Sequence, residues 1–97
     1  MYDYCGWIVR SEAGHDKGTL LCVVGTDREM LLVADGKTRK AQSPKRKKPG
    51  HVAVLDKGTF GHPAVQKLRE HREVSDGELR RALAVFRDEL AANGQGR

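Results

Sequence analysis

The chain has 97 residues, with 38% hydrophobic residues, 18 Lys and Arg against 13 Asp and Glu, and a formal net charge of +5. So short a chain forms one domain and buries only about 60–65% of its unfolded surface, which disfavours a multi-step enzyme with a large cofactor pocket. The longest apolar run, Leu20–Val24, falls far short of the ~20 residues that span a membrane. The start, Met1-Tyr2-Asp3-Tyr4, carries an acid where a secretory leader wants bases, and only two cysteines follow, Cys5 and Cys22. A cytoplasmic protein with no membrane partner is therefore expected.

Taken in chain order, Cys5–Ser11 reads as a first strand, with Trp7 and Val9 on one face and Ile8 on the other. Glu12–Gly18 is a loop rich in glycine and charge, and Thr19–Gly25 is a second, nearly all-apolar strand. After a turn at Thr26-Asp27-Arg28, Glu29–Ala34 is a third strand. Asp35-Gly36 has the form of a tight type I′ turn, which predicts that Lys37–Gln42 returns antiparallel as a fourth. His51–Leu55 alternates, with Val52 and Val54 on one side, as a short fifth. Five short strands joined by such short connections predict a small antiparallel barrel over residues 1–55, with the basic tract 36–51 inside it.

The period then changes. Residues 56–97 read as a linker, Asp56–Gly61, and a helical segment. Pro63 suits the first position of a helix over Pro63–His71, with Val65 and Leu68 on one face. Ser75-Asp76-Gly77-Glu78 has the form of a capping box, and Leu79, Ala82, Leu83, Phe86 and Leu90 then recur at helical spacing up to a stop at Asn93-Gly94. The face carrying Leu79, Leu83 and Phe86 is expected to pack on the barrel or on a partner.

Charge is concentrated in one place. Residues 1–35 hold three bases against six acids, and residues 52–97 hold eight against seven. Between them, Lys37, Arg39, Lys40, Lys45, Arg46, Lys47 and Lys48 stand without a single acid, followed by His51. Their mixed spacing suits a phosphate backbone better than one compact anion, so nucleic acid is the leading partner. The segment Pro44–Pro49 has no apolar side chain to bury and its charges repel, which predicts a mobile tract. Lys45–Lys48 also has the form of a nuclear import tag, a reading that needs a eukaryotic source.

The run G-W-I-V-R-S-E-A-G-H-D-K-G-T-L-L-C-V-V over residues 6–24 resembles a KOW motif, a strand, a loop ending G-x-D-K-G and a second strand. With L-L-V-A-D-G-K-T-R-K and P-K-R-K-K after it, the chain resembles the KOW-domain RNA-binding proteins of bacteria, which are similar to large-subunit ribosomal proteins. S-D-G-E-L-R-R-A-L looks like the C-terminal segment of those relatives. The resemblance covers residues 6–55 and, more weakly, 74–86. It implies an SH3-like barrel that binds RNA without catalysis, and it nominates Arg10, Ser11, Gly14, His15, Asp16, Lys17 and Gly18 as contacts. His15 stands where relatives more often carry Arg, so a permanently charged guanidinium is replaced there by an imidazole.

The residues themselves temper some of these readings. Asp16 is better suited to ordering its loop through backbone amides than to meeting RNA. Trp7, on an apolar strand face, reads as core rather than as a base-stacking platform. Cys5, Cys22, His15 and His51 lack the spacing of a zinc site, and no nucleophile has a partnered base, so neither metal, cofactor nor enzymatic activity is expected. The resulting expectation is an RNA-binding accessory protein of the translation machinery, docked on ribosomal RNA. Seven engaged bases would give a log-affinity against log-salt slope of about −5 to −6. The alternative is a protein-interaction module that docks on a transcription or translation complex through the barrel and the Leu79, Leu83 and Phe86 face.

Overall fold

The computed structural model describes residues 4–95. Its first half consists of period-two strands: β1 (Ile8–Ser11), β2 (Leu20–Asp27), β3 (Met30–Ala34), β4 (Lys45–Lys47) and β5 (Val52–Asp56). They form one antiparallel sheet in the order β4-β3-β2-β1-β5. The two edge strands are separated in the chain only by Lys48 and a 3₁₀ turn, Pro49–His51. That short link makes the sheet curl until its edges approach one another, as in a small SH3-like barrel.

Alternation then sorts the side chains into two cores. Val9, Leu21, Val23, Leu31 and Val33 fill the inside of the curl, with Tyr4, Trp7 and Val52 packed against them. Trp7, partly buried at the edge of this core, meets Tyr4 edge to face with ring centroids 4.7 Å apart and has the Lys57 ammonium 5.8 Å from its ring centroid. Ile8, Leu20, Cys22 and Ala34 point the other way. Burial, with the nearby Asp56 carboxylate, pushes the Cys22 thiol up to about 12, so it sits there as a small inert hydrophobe.

The second core is completed by the helices α1 (Pro63–Arg69) and α2 (Asp76–Gln95). Val65 and Leu68 of α1 and Leu79, Leu83 and Phe86 of α2 all join Ile8, Leu20 and Cys22. The expected partner-docking face of Leu79, Leu83 and Phe86 is therefore the roof of the protein's own core, with exposures of 0%, 3% and 8%. The physical reason is that the outer face of β1 and β2 is as apolar as the inner one and needs a cover. Leu90, expected to continue that face, is 42% exposed and takes no part in that core. The helix also continues through Asn93-Gly94 to Gln95. Among the described residues, no helix is long and apolar enough to cross a membrane.

The capping box forms as expected. The Glu78 N–H donates to Ser75 Oγ at 3.1 Å and the Ser75 N–H donates to Glu78 Oε1 at 3.0 Å. Glu78 also accepts from Lys67 of α1, which with the Ser75 amide holds its carboxyl down at about 2. One carboxylate thus caps α2 and ties it to α1.

Two expectations need correction. The second hairpin turns one residue later than expected: β2 runs to Asp27, which pairs with Met30, and Arg28 takes the left-handed position of the tight turn at φ 58°. More consequentially, Lys37–Gln42 forms no strand, and the fourth strand is Lys45–Lys47, paired with Leu31–Val33. Asp35 Oδ1 accepts from the N–H groups of Lys37 and Arg39 at 2.9 and 2.8 Å. The Asp76 carboxylate takes the Ala41 N–H at 2.7 Å, and Arg80 donates to the Gly36 carbonyl at 2.7 Å. Side chains satisfy this backbone, so it has no need of a ladder.

Gly36 makes that arrangement possible. It has φ 78°, and a Cβ built on it would lie 2.2 Å from the Asp76 carbonyl oxygen. Gly18 has a similar φ of 91° with nothing within 4 Å of its Cβ position. In urea unfolding, Gly18→Ala is expected to cost the backbone strain alone, about 1–2 kcal/mol. Gly36→Ala is expected to cost clearly more, since the loop must also separate from α2.

Candidate functional site

The basic tract is divided by the strand it forms. In β4, Lys45 and Lys47 stand opposite Val33 and Leu31, so they face the inside of the barrel, while Arg46, opposite Leu32, faces out. Lys47 is 5% exposed, in a charged tract expected to be mobile. Its Nζ donates to Asp16 Oδ1 at 2.7 Å and to the Ala13 carbonyl at 2.8 Å. Lys45 Nζ reaches Asp16 Oδ2 at 3.4 Å, and Ser11, fully buried, donates its hydroxyl to Asp16 Oδ1 at 2.8 Å. The tract is ordered because its inward charges are neutralised by a carboxylate on another loop.

Asp16 does order the β1–β2 loop, but through side chains of β1 and β4 rather than through backbone amides. Burial alone would raise its carboxyl; the hydrogen bonds from Lys47, Ser11 and Lys45 outweigh that and hold it well below its ordinary 3.8. The rest of the loop is closed by main-chain bonds: Gly18 N–H to the Ser11 carbonyl at 2.7 Å and Thr19 N–H to the Asp16 carbonyl at 2.9 Å. A further bond, Glu12 N–H to the His51 carbonyl at 2.8 Å, joins this loop to the β4–β5 corner.

The nominated residues consequently separate into two kinds. Ser11, Lys45 and Lys47 are committed to the interior network, and burial puts Ser11 and Lys47 out of reach of any macromolecule. Gly14 and Gly18 supply left-handed backbone for the loop. Arg10 is exposed but pairs with Glu12 at 2.8 Å, and Arg46 pairs with Asp27 at 2.6 Å while 68% exposed. Lys17, Lys37, Arg39, Lys40 and Lys48 are exposed and, among the described residues, form no ion pair. His15 and His51 are exposed as well.

These five cations lie in two groups. Lys17 and His15, on the β1–β2 loop, share one end of the molecule with Lys48 and His51 through the Glu12–His51 bond. Lys37, Arg39 and Lys40 are carried by the loop that Asp35 closes and α2 holds. Arg80 adds a cation the sequence reading did not single out. It donates to the Gly36 carbonyl, a neutral acceptor, and so keeps its charge beside the loop. Its contact spans the gap between two segments that sequence alone does not bring together.

A groove of about 870 Å³ opens beside that second group, between the outer face of β2 and β3, the segment that follows Lys40, and the α1–α2 linker. The sequence reading missed it too, although a glycine inside an apolar strand, Gly25, was a signal, since such glycines often mark a bulge or a close approach. Among the described residues, no three His, Cys, Asp or Glu side chains gather as metal ligands. What the exposed set can do is neutralise phosphate charge. Comparison of the chain with protein-family models and with curated proteins gives no match.

The interior network makes two predictions. Lys47→Met, which removes the closer of the two lysines on Asp16 and leaves Lys45 and Ser11, is expected to cost about 1–3 kcal/mol in urea unfolding, whereas Lys48→Met leaves stability unchanged. Asp16 titrates lower folded than unfolded, so its stabilisation is complete above the ordinary carboxylate value and is lost as pH falls below it. The stability advantage of wild type over Asp16→Asn is therefore expected to shrink as pH is lowered from about 5 towards 2. A constant gap would show that the carboxylate charge contributes nothing.

Proposed function

We propose that this protein is a cytoplasmic, non-catalytic RNA-binding accessory of the translation machinery, associating with ribosomal RNA through its exposed loop cations. The observation that carries this reading is the segregation of charge. Among the described residues, Lys17, Lys37, Arg39, Lys40 and Lys48 form no ion pair, and they sit on loops that hydrogen bonds close. A soluble surface with no such partner intersperses both signs. The KOW-like loop between β1 and β2 supports the same reading, with Lys17 and His15 at its surface. Structured RNA suits these loops better than duplex DNA, since neither helix presents a base-reading face and loops can follow RNA shape.

The interior use of Lys45 and Lys47 and the pairing of Arg46 lower the number of phosphate contacts. Five cations give an expected slope of log affinity against log salt of about −3.5 to −4.5, rather than the steeper value for seven. Replacing Lys37, Arg39 and Lys40 with Gln should flatten it by about 2 to 3. In a sucrose gradient of lysate, the protein is expected to travel with the large ribosomal subunit at low salt and to leave it at high salt or after nuclease. A protein that stays at the top of the gradient at low salt, or a flat salt response, would overturn the proposal.

A further inference from the structure

We infer that the groove beside the Lys37–Lys40 loop receives an unpaired base of the bound RNA, so that this site reads single-stranded rather than duplex segments. The inference rests on the RNA reading above and adds a base-binding site to it. The groove measures about 870 Å³, within the range of pockets that hold a small organic group. Its walls include Val24, Leu32, Leu68 and Val74, which present apolar surface to the flat face of a heterocycle, and the Arg72 guanidinium, a plane on which a base can stack.

Two further lining residues carry the polar chemistry. The Thr26 hydroxyl and the Gln42 amide line the groove and make no hydrogen bond to the described residues. An amide offers both a donor and an acceptor, which matches the edge of a base. The chain enters the groove at Ala41, directly after Lys40, and the Lys37, Arg39 and Lys40 cations of that loop, with Arg80 on its Gly36 carbonyl, outnumber the Glu73 carboxylate of the lining and the Asp76 carboxylate bonded to the Ala41 N–H. The occupant thus needs a flat apolar body with a hydrogen-bonding edge, next to anionic charge. A nucleotide has this composition. A paired base must give up its pairing and stacking before it can enter a groove, so the nucleotide the groove favours is unpaired.

Gly25 provides the test. It lines the groove, its φ is not in the left-handed region, and a Cβ built on it would lie 3.5 Å from Leu32 Cδ1, an ordinary contact. Gly25→Met therefore fills the groove without straining the backbone. The full chain is titrated by fluorescence anisotropy with a short oligouridylate, with an abasic oligomer of equal length, and with an RNA duplex, each over a range of salt. Wild type is expected to bind the oligouridylate about tenfold more tightly than the abasic oligomer, the scale of one stacked base.

Gly25→Met is expected to lose that preference while keeping the salt slope, because the cations are untouched. Gln42→Ala, at an exposed position outside both cores, is expected to weaken the preference severalfold and serves as the second variant should Gly25→Met fail to fold. Equal binding of the base-bearing and abasic oligomers by wild type would overturn the groove site and leave the RNA reading intact. So would a preference that survives both variants, as when the groove takes a protein segment instead. Failure of wild type to bind any of the three probes at low salt would overturn both.

Discussion

The organisation of the molecule depends on one partly buried carboxylate. Asp16 accepts from Lys47, Ser11 and Lys45, and so joins the β1–β2 loop, strand β1 and strand β4 at one point inside the barrel. An ion pair largely withdrawn from water is weak evidence for stability, since well-packed apolar residues often do as well. Its value is positional. Strand β4 is three residues long, carries no apolar side chain and has one paired neighbour, so ladder hydrogen bonds alone would hold it poorly. With Lys47 anchored at both Asp16 and the Ala13 carbonyl, the strand is held from its interior side and the edge of the sheet is closed.

The second constraint is the apolar outer face of β1 and β2. Ile8, Leu20 and Cys22 would face water if the barrel ended the fold, and a sheet exposing both faces is not stable in so small a chain. The two helices supply the missing layer, with the Phe60 and Phe86 rings meeting edge to face at a centroid separation of 5.0 Å where the linker joins them. Asp56 shapes that linker by accepting from the N–H groups of Gly58, Thr59 and Phe60. The helical segment is therefore part of the domain and not an appendage available for docking. The same packing brings the start of α2 against the Gly36 loop, so the cations of that loop are held by the helix that roofs the core.

Local information accounts for what could be read in advance. The first three strands and both helices are legible because their apolar periodicity and caps are written within each segment: V-V-G around Gly25, P at Pro63, S-D-G-E before Leu79. β4 is not, because K-R-K carries no alternation of apolar and polar residues, and what buries Lys47 is a carboxylate 31 residues away. The Asp35-Gly36 pair misleads for a related reason. Its turn chemistry is real, but Asp35 bonds forward to Lys37 and Arg39, the Arg39 carbonyl takes the Asp35 and Gly36 N–H groups, and α2 takes the Gly36 carbonyl and the Ala41 N–H. At the candidate site the cations of the 36–40 loop, Lys17 and Lys48 are visible in the sequence as charge. The groove next to that loop and the contribution of Arg80 exist only once α2 and the α1–α2 linker are packed against the sheet.

A basic tract is usually treated as a sum of equivalent charges, and here the period of the backbone makes that treatment fail. A strand sends successive side chains to opposite faces. Any run of lysines and arginines that enters a sheet with one face buried is thereby split into cations that must find carboxylates and cations that remain for a partner. Lys47 and Lys48 are adjacent in sequence, yet one is 5% exposed and held by Asp16 while the other is exposed and forms no ion pair among the described residues. The inward lysines set the position of the loop that carries Lys17, and the outward charges act on solvent. Affinity for a polyanion thus depends on both sets, but its salt dependence reports only the second, because charges already neutralised inside the protein release no counterions. The gap between total and exposed charge is a structural quantity, and in this protein Asp16 and Asp27 define it.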